Sequence, residues 1–291
     1  MPGEGKTLRE EWIDSGSESG MTKMYKVQGD KIIKNLFTYS PTNLLTSKKA
    51  AFTLAEVLIT LAIIGVVAAM TIPTLITSYT EKATVTALKK VLSTFSQGYL
   101  HAVFENGTPD TWGLTAGTAE GAAKFIKIMQ PYFKITKICE EDSSCLNDIY
   151  YTLQGTKKRI YTDRASAILN DGSTIWIYVF DSNSPQITDQ TKPSLKNDIV
   201  AELTADINGF AGPNIFGKDV FSFWVTKNNI IPKGRKGDSY TIESYCNLAA
   251  PEEEAHYNSG ESCSSWVIDI GNMDYLHCDD LSWTGKHKCS D

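Results

Sequence analysis

The chain has 291 residues, 42% of them hydrophobic and 10% aromatic, enough to bury the core of one or two domains. Its formal net charge is −6, with 34 acidic against 28 basic side chains; that balance argues against nucleic acid as the main partner, because phosphate contacts need clustered Lys and Arg. No phosphate-binding glycine loop, His-Glu-x-x-His helix or nucleophile elbow appears, so the expectation is that the protein is not an enzyme.

Residues 1–20 carry Lys6 and Arg9 against Glu4, Glu10, Glu11, Asp14 and Glu18, and with their Ser and Gly content read as a solvated, disordered stretch. Met1, Met21 and Met24 are three candidate starts. Residues 21–50 are basic, with six lysines against Asp30. Then comes a run without an ionisable side chain, residues 57–80, long enough to cross a bilayer as a helix, for which ~20 residues are needed. Glu56 stands at its edge, where a charge costs roughly 2.5–3.5 kcal/mol if it lies deep. Lys31, Lys34, Lys48 and Lys49 precede the run and only the balanced pair Glu81 and Lys82 follows it, which places the N-terminus in the cytoplasm and the bulk of the chain outside. All six cysteines (Cys139, Cys145, Cys246, Cys263, Cys278, Cys289) lie on the exported side, an even number that suggests disulfides.

Helical periodicity continues past Pro73. Val85, Leu88, Val91, Leu92, Phe95, Tyr99 and Val103 recur at three- and four-residue steps, with Lys89, Lys90 and Gln97 off that face. This predicts one helix over residues 53–105, ~80 Å long at ~1.5 Å per residue, kinked or loosened at Pro73 and stopped at Asn106-Gly107-Thr-Pro109. A short helix is expected over 118–130. The β-branched and aromatic runs 174–180, 198–207, 220–226 and 266–270 are expected strands, with Asn170-Asp-Gly172 as a turn. The fold class is therefore α+β: a long N-terminal helix, half membrane and half amphipathic, packed on a mostly antiparallel sheet with a disulfide-stapled C-terminal region. The domains are a leader (1–51), the helix (52–105, transmembrane over 52–80) and a head (106–291).

Lys48-Lys49-Ala-Ala51, Phe52-Thr-Leu-Ala-Glu56 and Thr71-Ile-Pro73 together resemble the N-terminal signature of type IV pilins and type II secretion pseudopilins. The resemblance implies cleavage between Ala51 and Phe52 by a prepilin peptidase, N-methylation of Phe52, storage in the inner membrane, and addition to a helical filament of homologous subunits by an assembly platform. The family residue before the cut is usually glycine; here it is Ala51, and the 51-residue leader is unusually long. Glu56 is implied to pair with the free amine of Phe52 on a neighbouring subunit, where low dielectric strengthens the attraction. The plainer reading is that Glu56 favours the positive N-terminus of its own helix. Gly65, Ala62, Ala68 and Ala69 permit close helix approach, or serve as lipid-facing filler. The alternative role is a minor or tip subunit whose head is a binding module, an adhesin or a DNA-uptake subunit, using a local patch such as Lys157-Lys158-Arg159 or Lys233-Gly-Arg-Lys236.

Cysteine order suggests Cys139–Cys145 locally, with adjacent pairing 246–263 and 278–289 expected among the three pairings that four cysteines allow. A zinc site built on His277-Cys278 and His287-x-Cys289 matches structural zinc spacing poorly. Asp206-Ile-Asn208-Gly209 resembles the start of a calcium loop, with Asp219 as a further ligand, although Gly217 stands where an EF-hand needs Glu. Some pseudopilins carry calcium in the head. Otherwise no cofactor is implied, and an Asx-type turn is the plainer reading.

Overall fold

A computed structural model describes residues 53–140, 144–160, 162–181, 198–238, 240–249 and 259–290. The leader and the Ala51/Phe52 junction lie outside the described residues. By its internal contacts the chain divides into residues 1–58 and 59–291.

Helix α1 is Leu54–Asn106, continuous through Pro73. Its C-terminal half buries Leu88, Phe95, Gly98, Tyr99 and Ala102 and half-buries Val85, Val91, Leu92 and Val103, the stripe its periodicity predicts. Helix α2 is Ala119–Met129; its N-cap Thr118 accepts a hydrogen bond from the N–H of Gly121 at 3.1 Å. Eight strands follow: β1 Ile135–Cys139, β2 Tyr150–Tyr151, β3 Lys157–Lys158, β4 Ala165–Leu169, β5 Thr174–Val179, β6 Ile199–Asp206, β7 Val220–Thr226 and β8 Ile230–Pro232. Among the described residues that follow lie two short helices, α3 at Ile242–Tyr245 and α4 at Cys263–Asp269.

Six of the strands form one antiparallel sheet in the order β1-β4-β5-β6-β7-β8, and β2 and β3 pair separately. Alternation along the strands sorts the sheet into two faces. Ala167, Ile175, Ile177, Leu203, Phe221 and Phe223 belong to the main core with α1 and α2. Phe95 stacks on Phe133 at 4.9 Å between ring centres and meets Phe223 edge-on at 6.4 Å. Tyr99 lies fully buried among Trp112, Phe125 and the sheet, and its hydroxyl donates to the Thr226 carbonyl at 2.6 Å. The residues between, Trp176, Glu202, Thr204, Asp206, Ser222 and Trp224, are also largely covered although they alternate with the helix-facing set. Loops supply that cover, and the candidate sites in the head lie beneath them.

The run 266–270 is not a strand as expected. It falls largely within α4, where Trp266 and Val267 are both fully buried and Ser265 Oγ donates to Asp269 Oδ2, four residues on, at 3.0 Å. A run of five residues with Asp269 on the exposed side is too short to carry a period that separates helix from strand. Strands β1 to β4 and β8 are not among those expected; Ala, Ser and Lys dilute β1 and β4, and β2, β3 and β8 are only two or three residues long. The six cysteines form three disulfides between sequence neighbours, Cys139–Cys145, Cys246–Cys263 and Cys278–Cys289.

Gly98 sets how closely α1 approaches the head. A Cβ there would stand 2.8 Å from the Phe133 ring and 3.2 Å from the Tyr132 carbonyl oxygen. Gly98→Val is expected to destabilise the full-length chain by roughly 1–3 kcal/mol through overpacking. Denaturant unfolding in detergent checks this, and an unchanged midpoint would remove Gly98 from the docking contact.

Candidate functional site

The first candidate is the start of α1. Thr53 and Glu56 satisfy each other: the Thr53 N–H and hydroxyl donate to Glu56 Oε2 at 2.8 and 2.9 Å, and the Glu56 N–H donates to Thr53 Oγ1 at 3.2 Å. This is a reciprocal capping box, which requires Thr or Ser three residues before Glu. The sequence Thr53-Leu-Ala-Glu56 contains that spacing, so the signal was present and was not singled out. Within the described chain the Glu56 carboxylate is thus spent on its own helix terminus, the plainer of the two readings.

Beyond the cap, α1 exposes Leu54, Ile63, Val66, Met70, Leu75 and Tyr79, and its most apolar stretch has a mean hydropathy of 2.3 with no part buried. Length and composition suit a membrane span. The threonines in it do not oppose that. Thr71, Thr74, Thr77 and Thr80 turn their hydroxyls back to the carbonyls of Val67, Thr71, Pro73 and Ile76 at 2.9, 2.9, 3.0 and 2.5 Å, leaving methyl groups outward. Pro73 has no N–H to offer the carbonyl one turn before it.

The second candidate lies where β6 meets β7. Strand pairing sets Asp206 opposite Val220 and brings Asp219 to the same corner. Asp219 accepts from the N–H groups of Asn214 and Ile215 at 2.8 and 2.6 Å. Asp206 is fully buried; its carboxylate accepts long bonds from the Asn208 N–H at 3.4 Å and Asn147 Nδ2 at 3.5 Å, and the Tyr150 hydroxyl and the Gly209 N–H also act on it. Burial, then repulsion from Asp219, raises the Asp206 carboxyl from 3.8 to about 7; burial also raises Asp219. Gly209 holds the turn at φ +61°, with the Gly172 carbonyl so close that a Cβ would stand 2.0 Å from it.

These residues do not fit the calcium reading. Asn208 turns its amide to the Gly212 carbonyl at 3.1 Å. The oxygens that converge do so on Asn147, a residue the sequence did not single out: its Nδ2 donates to Gly209 O at 2.9 Å and Asn214 Oδ1 at 3.0 Å as well as to Asp206. An amide donor therefore stands among these oxygens. Among the described residues no group of three or more His, Cys, Asp or Glu is placed to hold a metal ion.

The third site is a buried charge network on the outer sheet face. Lys233 is 1% exposed, and its ammonium contacts Glu261 Oε2 at 2.6 Å and Glu202 Oε1 at 2.9 Å. Lys158 pairs with the other oxygen of Glu261 and lies 4.6 Å from the Phe216 ring centre. Burial works against both charges of the central pair. The carboxylates nevertheless hold Lys233 protonated, and Lys158 and Lys233 hold Glu261 down to about 2. Lys158 and Lys233 had been read as parts of exposed basic patches. Their neutralising partners, Glu202 and Glu261, come from β6 and from the approach to α4, distant in sequence. The adjoining cleft, which includes Arg159, Arg164 and Tyr178, leaves only ≈ 20 Å³ for the centre of a water-sized molecule, far below a drug-sized pocket of ~300 Å³.

Asp206 yields a pH prediction. Its folded carboxyl keeps a proton up to about 7, whereas the unfolded one loses it near 3.8. Stability is therefore full on the acid side and is lost as pH rises through that window, by about 2–4 kcal/mol in all. Asp206→Asn is expected to flatten this dependence and to be the more stable protein at about pH 8. Urea unfolding at several pH values measures it; a wild-type stability that rises with pH across the window would refute the assignment.

Comparison with known proteins supplies two matches. Residues 46–72 match the prokaryotic N-terminal methylation motif, the prepilin-type signature of type IV pilins and pseudopilins. Residues 74–268 match a family of unknown function, DUF6613. No curated protein and no solved structure matches the chain significantly. The second match spans well over half of the chain and takes in the amphipathic half of α1, the whole six-stranded sheet and nearly all of α4. The chain belongs to the DUF6613 family of unknown function, and it carries at its head the N-terminal methylation motif of pilin-type proteins.

Proposed function

We propose that the chain is a structural subunit of a type IV pilus or type II secretion pseudopilus, cut between Ala51 and Phe52 and N-methylated at Phe52. The observation that carries the reading is the methylation motif over residues 46–72, running into a capped apolar helix whose side chains are exposed. The subunit waits in the inner membrane as a single-pass protein, N-terminus cytoplasmic and head outside, and an assembly platform then adds it to a filament of homologous subunits. The pilin-type motif points to a structural subunit rather than to an enzyme family.

Glu56 then has two successive partners. Before assembly Thr53 satisfies it. On docking, the carboxylate trades the Thr53 contacts for the methylated Phe52 amine of a neighbour, a charge-assisted bond about twice as strong as a neutral one. The cap keeps an acid tolerable at the membrane edge and releases it without leaving the helix end wholly unsatisfied. The DUF6613 head, with its closed charge network, is the part exposed on the filament. A binding role at a tip draws on the same head, but its DNA-uptake form loses support from the burial of Lys158 and Lys233 against glutamates.

Mass spectrometry of the mature N-terminus is expected to find N-methyl-Phe52; a start elsewhere would overturn the reading. Glu56→Ala is expected to insert in the membrane at normal levels and to be missing from sheared filaments. Incorporation of that variant at the wild-type level would show that Glu56 does not dock subunits. In the same preparation a bulk subunit dominates, whereas a tip subunit is scarce.

A further inference from the structure

The Lys233 network has the arrangement of a reaction centre. An amine is held against one carboxyl group, with a second carboxylate on the amine and a second ammonium on the far oxygen of the first. We propose that Lys233 and Glu261 join in an intramolecular amide bond, formed by the folded chain itself.

The geometry assigns each residue a role. Lys233 Nζ, 2.6 Å from Glu261 Oε2, is the nucleophile, and the carboxyl carbon of Glu261 is its target. Glu202 Oε1 accepts a hydrogen bond from the same Nζ at 2.9 Å, where it takes up the proton that the amine must shed. Lys158 pairs with Glu261 Oε1, the oxygen that gathers negative charge when the carbon becomes tetrahedral. Trp224 and Tyr240 shelter the ammonium, with ring centres 4.5 and 4.0 Å from Nζ. Lys233 is 1% exposed and Glu261 8%, so bulk water is kept from the new bond.

The ion pair is the unreacted state. Transfer of one proton from Nζ to Glu202 leaves a neutral amine, the form that burial favours. Glu202 passes that proton on to Glu261 Oε2, so the amine attacks a neutral carboxyl group and the C–N bond forms; Glu202 then takes a second proton from the nitrogen and delivers it to the same oxygen, which departs as water. An ammonium and a carboxylate become an amide and water, with no oxidant or other reactant. The product removes two opposite charges whose desolvation opposes folding, and it leaves Lys158 and Glu202 as a balanced pair.

The backbone around both residues is fixed. The Lys233 N–H donates to Ser222 O at 3.2 Å, and its carbonyl accepts from the Ser265 N–H at 3.0 Å. Next to them Gly234 and Ser262 approach so closely that a Cβ on the glycine would stand 1.9 Å from the Ser262 carbonyl oxygen. Reactants held in this way need little further ordering to react. The bond would tie the end of β8 to the approach to α4 beside the Cys246–Cys263 disulfide, and unlike that disulfide it would survive reduction.

The test is the mass of the full-length chain purified from membranes. The reduced protein is expected to be lighter by one water than the sequence from its determined N-terminus requires, any N-terminal methyl group included. After trypsin, the peptide holding Glu261 is expected to remain joined to one uncut at Lys233. Glu202→Gln keeps both partners but lacks the base, and is expected to show the full mass. A wild-type chain of full mass with separable peptides would show that the network is an ion pair only. A linkage mapped to other residues, or one formed as completely in Glu202→Gln, would overturn the proposed pair or the role of Glu202.

Discussion

The structure of the head depends on the burial of one stripe of α1 against the sheet. Tyr99 is the centre of it: an aromatic ring enclosed on all sides, whose hydroxyl reaches the Thr226 carbonyl at the end of β7. Leu88, Phe95 and Ala102 extend the contact along the helix, and Gly98 lets the backbone come close enough for Phe133 to lie against it. The helix-facing residues of β4 to β7 are covered by this stripe together with α2. The same helix, some turns earlier, presents apolar side chains to no protein neighbour. A single element thus combines a stretch whose length and composition suit a membrane with one that packs specifically. Its composition changes accordingly, from Ile, Val and Ala to spaced aromatics among lysines.

What the sequence made legible follows from which signals are local. The apolar run, the period from Val85 to Val103 and the strand runs at 174–180 and 220–226 each lie within one element, and each matches the structure closely. The capping box at Thr53 and Glu56 was equally local, and attention to the acid as an assembly group obscured it. The run at Trp266 forms a helix instead of the expected strand; its apolar residues and the exposed Asp269 span only five positions, too few for one period to exclude the other.

The sites in the head were less legible because their partners are far apart in the chain. Nothing near Lys233 indicates that Glu202 and Glu261 will surround it, so a lysine beside Arg and Lys reads as surface charge. Asn147 lies 59 residues before Asp206, and only the fold shows that its amide reaches the Asp206 carboxylate. Asp206 and Asp219 were identified from spacing alone, but their burial, which governs their chemistry, is a property of the loops over the outer face.

The six-stranded sheet has one further consequence, at its margins. It is open, and open sheets carry two rows of unpaired backbone groups that invite another strand. Here both margins are poor templates. β8 is three residues long and ends on Pro232, which has no N–H to donate. β1 is irregular between Ile135 and Lys137 and carries lysine at the latter. Crowded heads are thereby discouraged from zipping together edge to edge, the route by which concentrated β-proteins aggregate. Contacts between copies fall instead to surfaces that do not extend the sheet, so the chain can be kept at high local density without its folded part becoming a seed for disordered association.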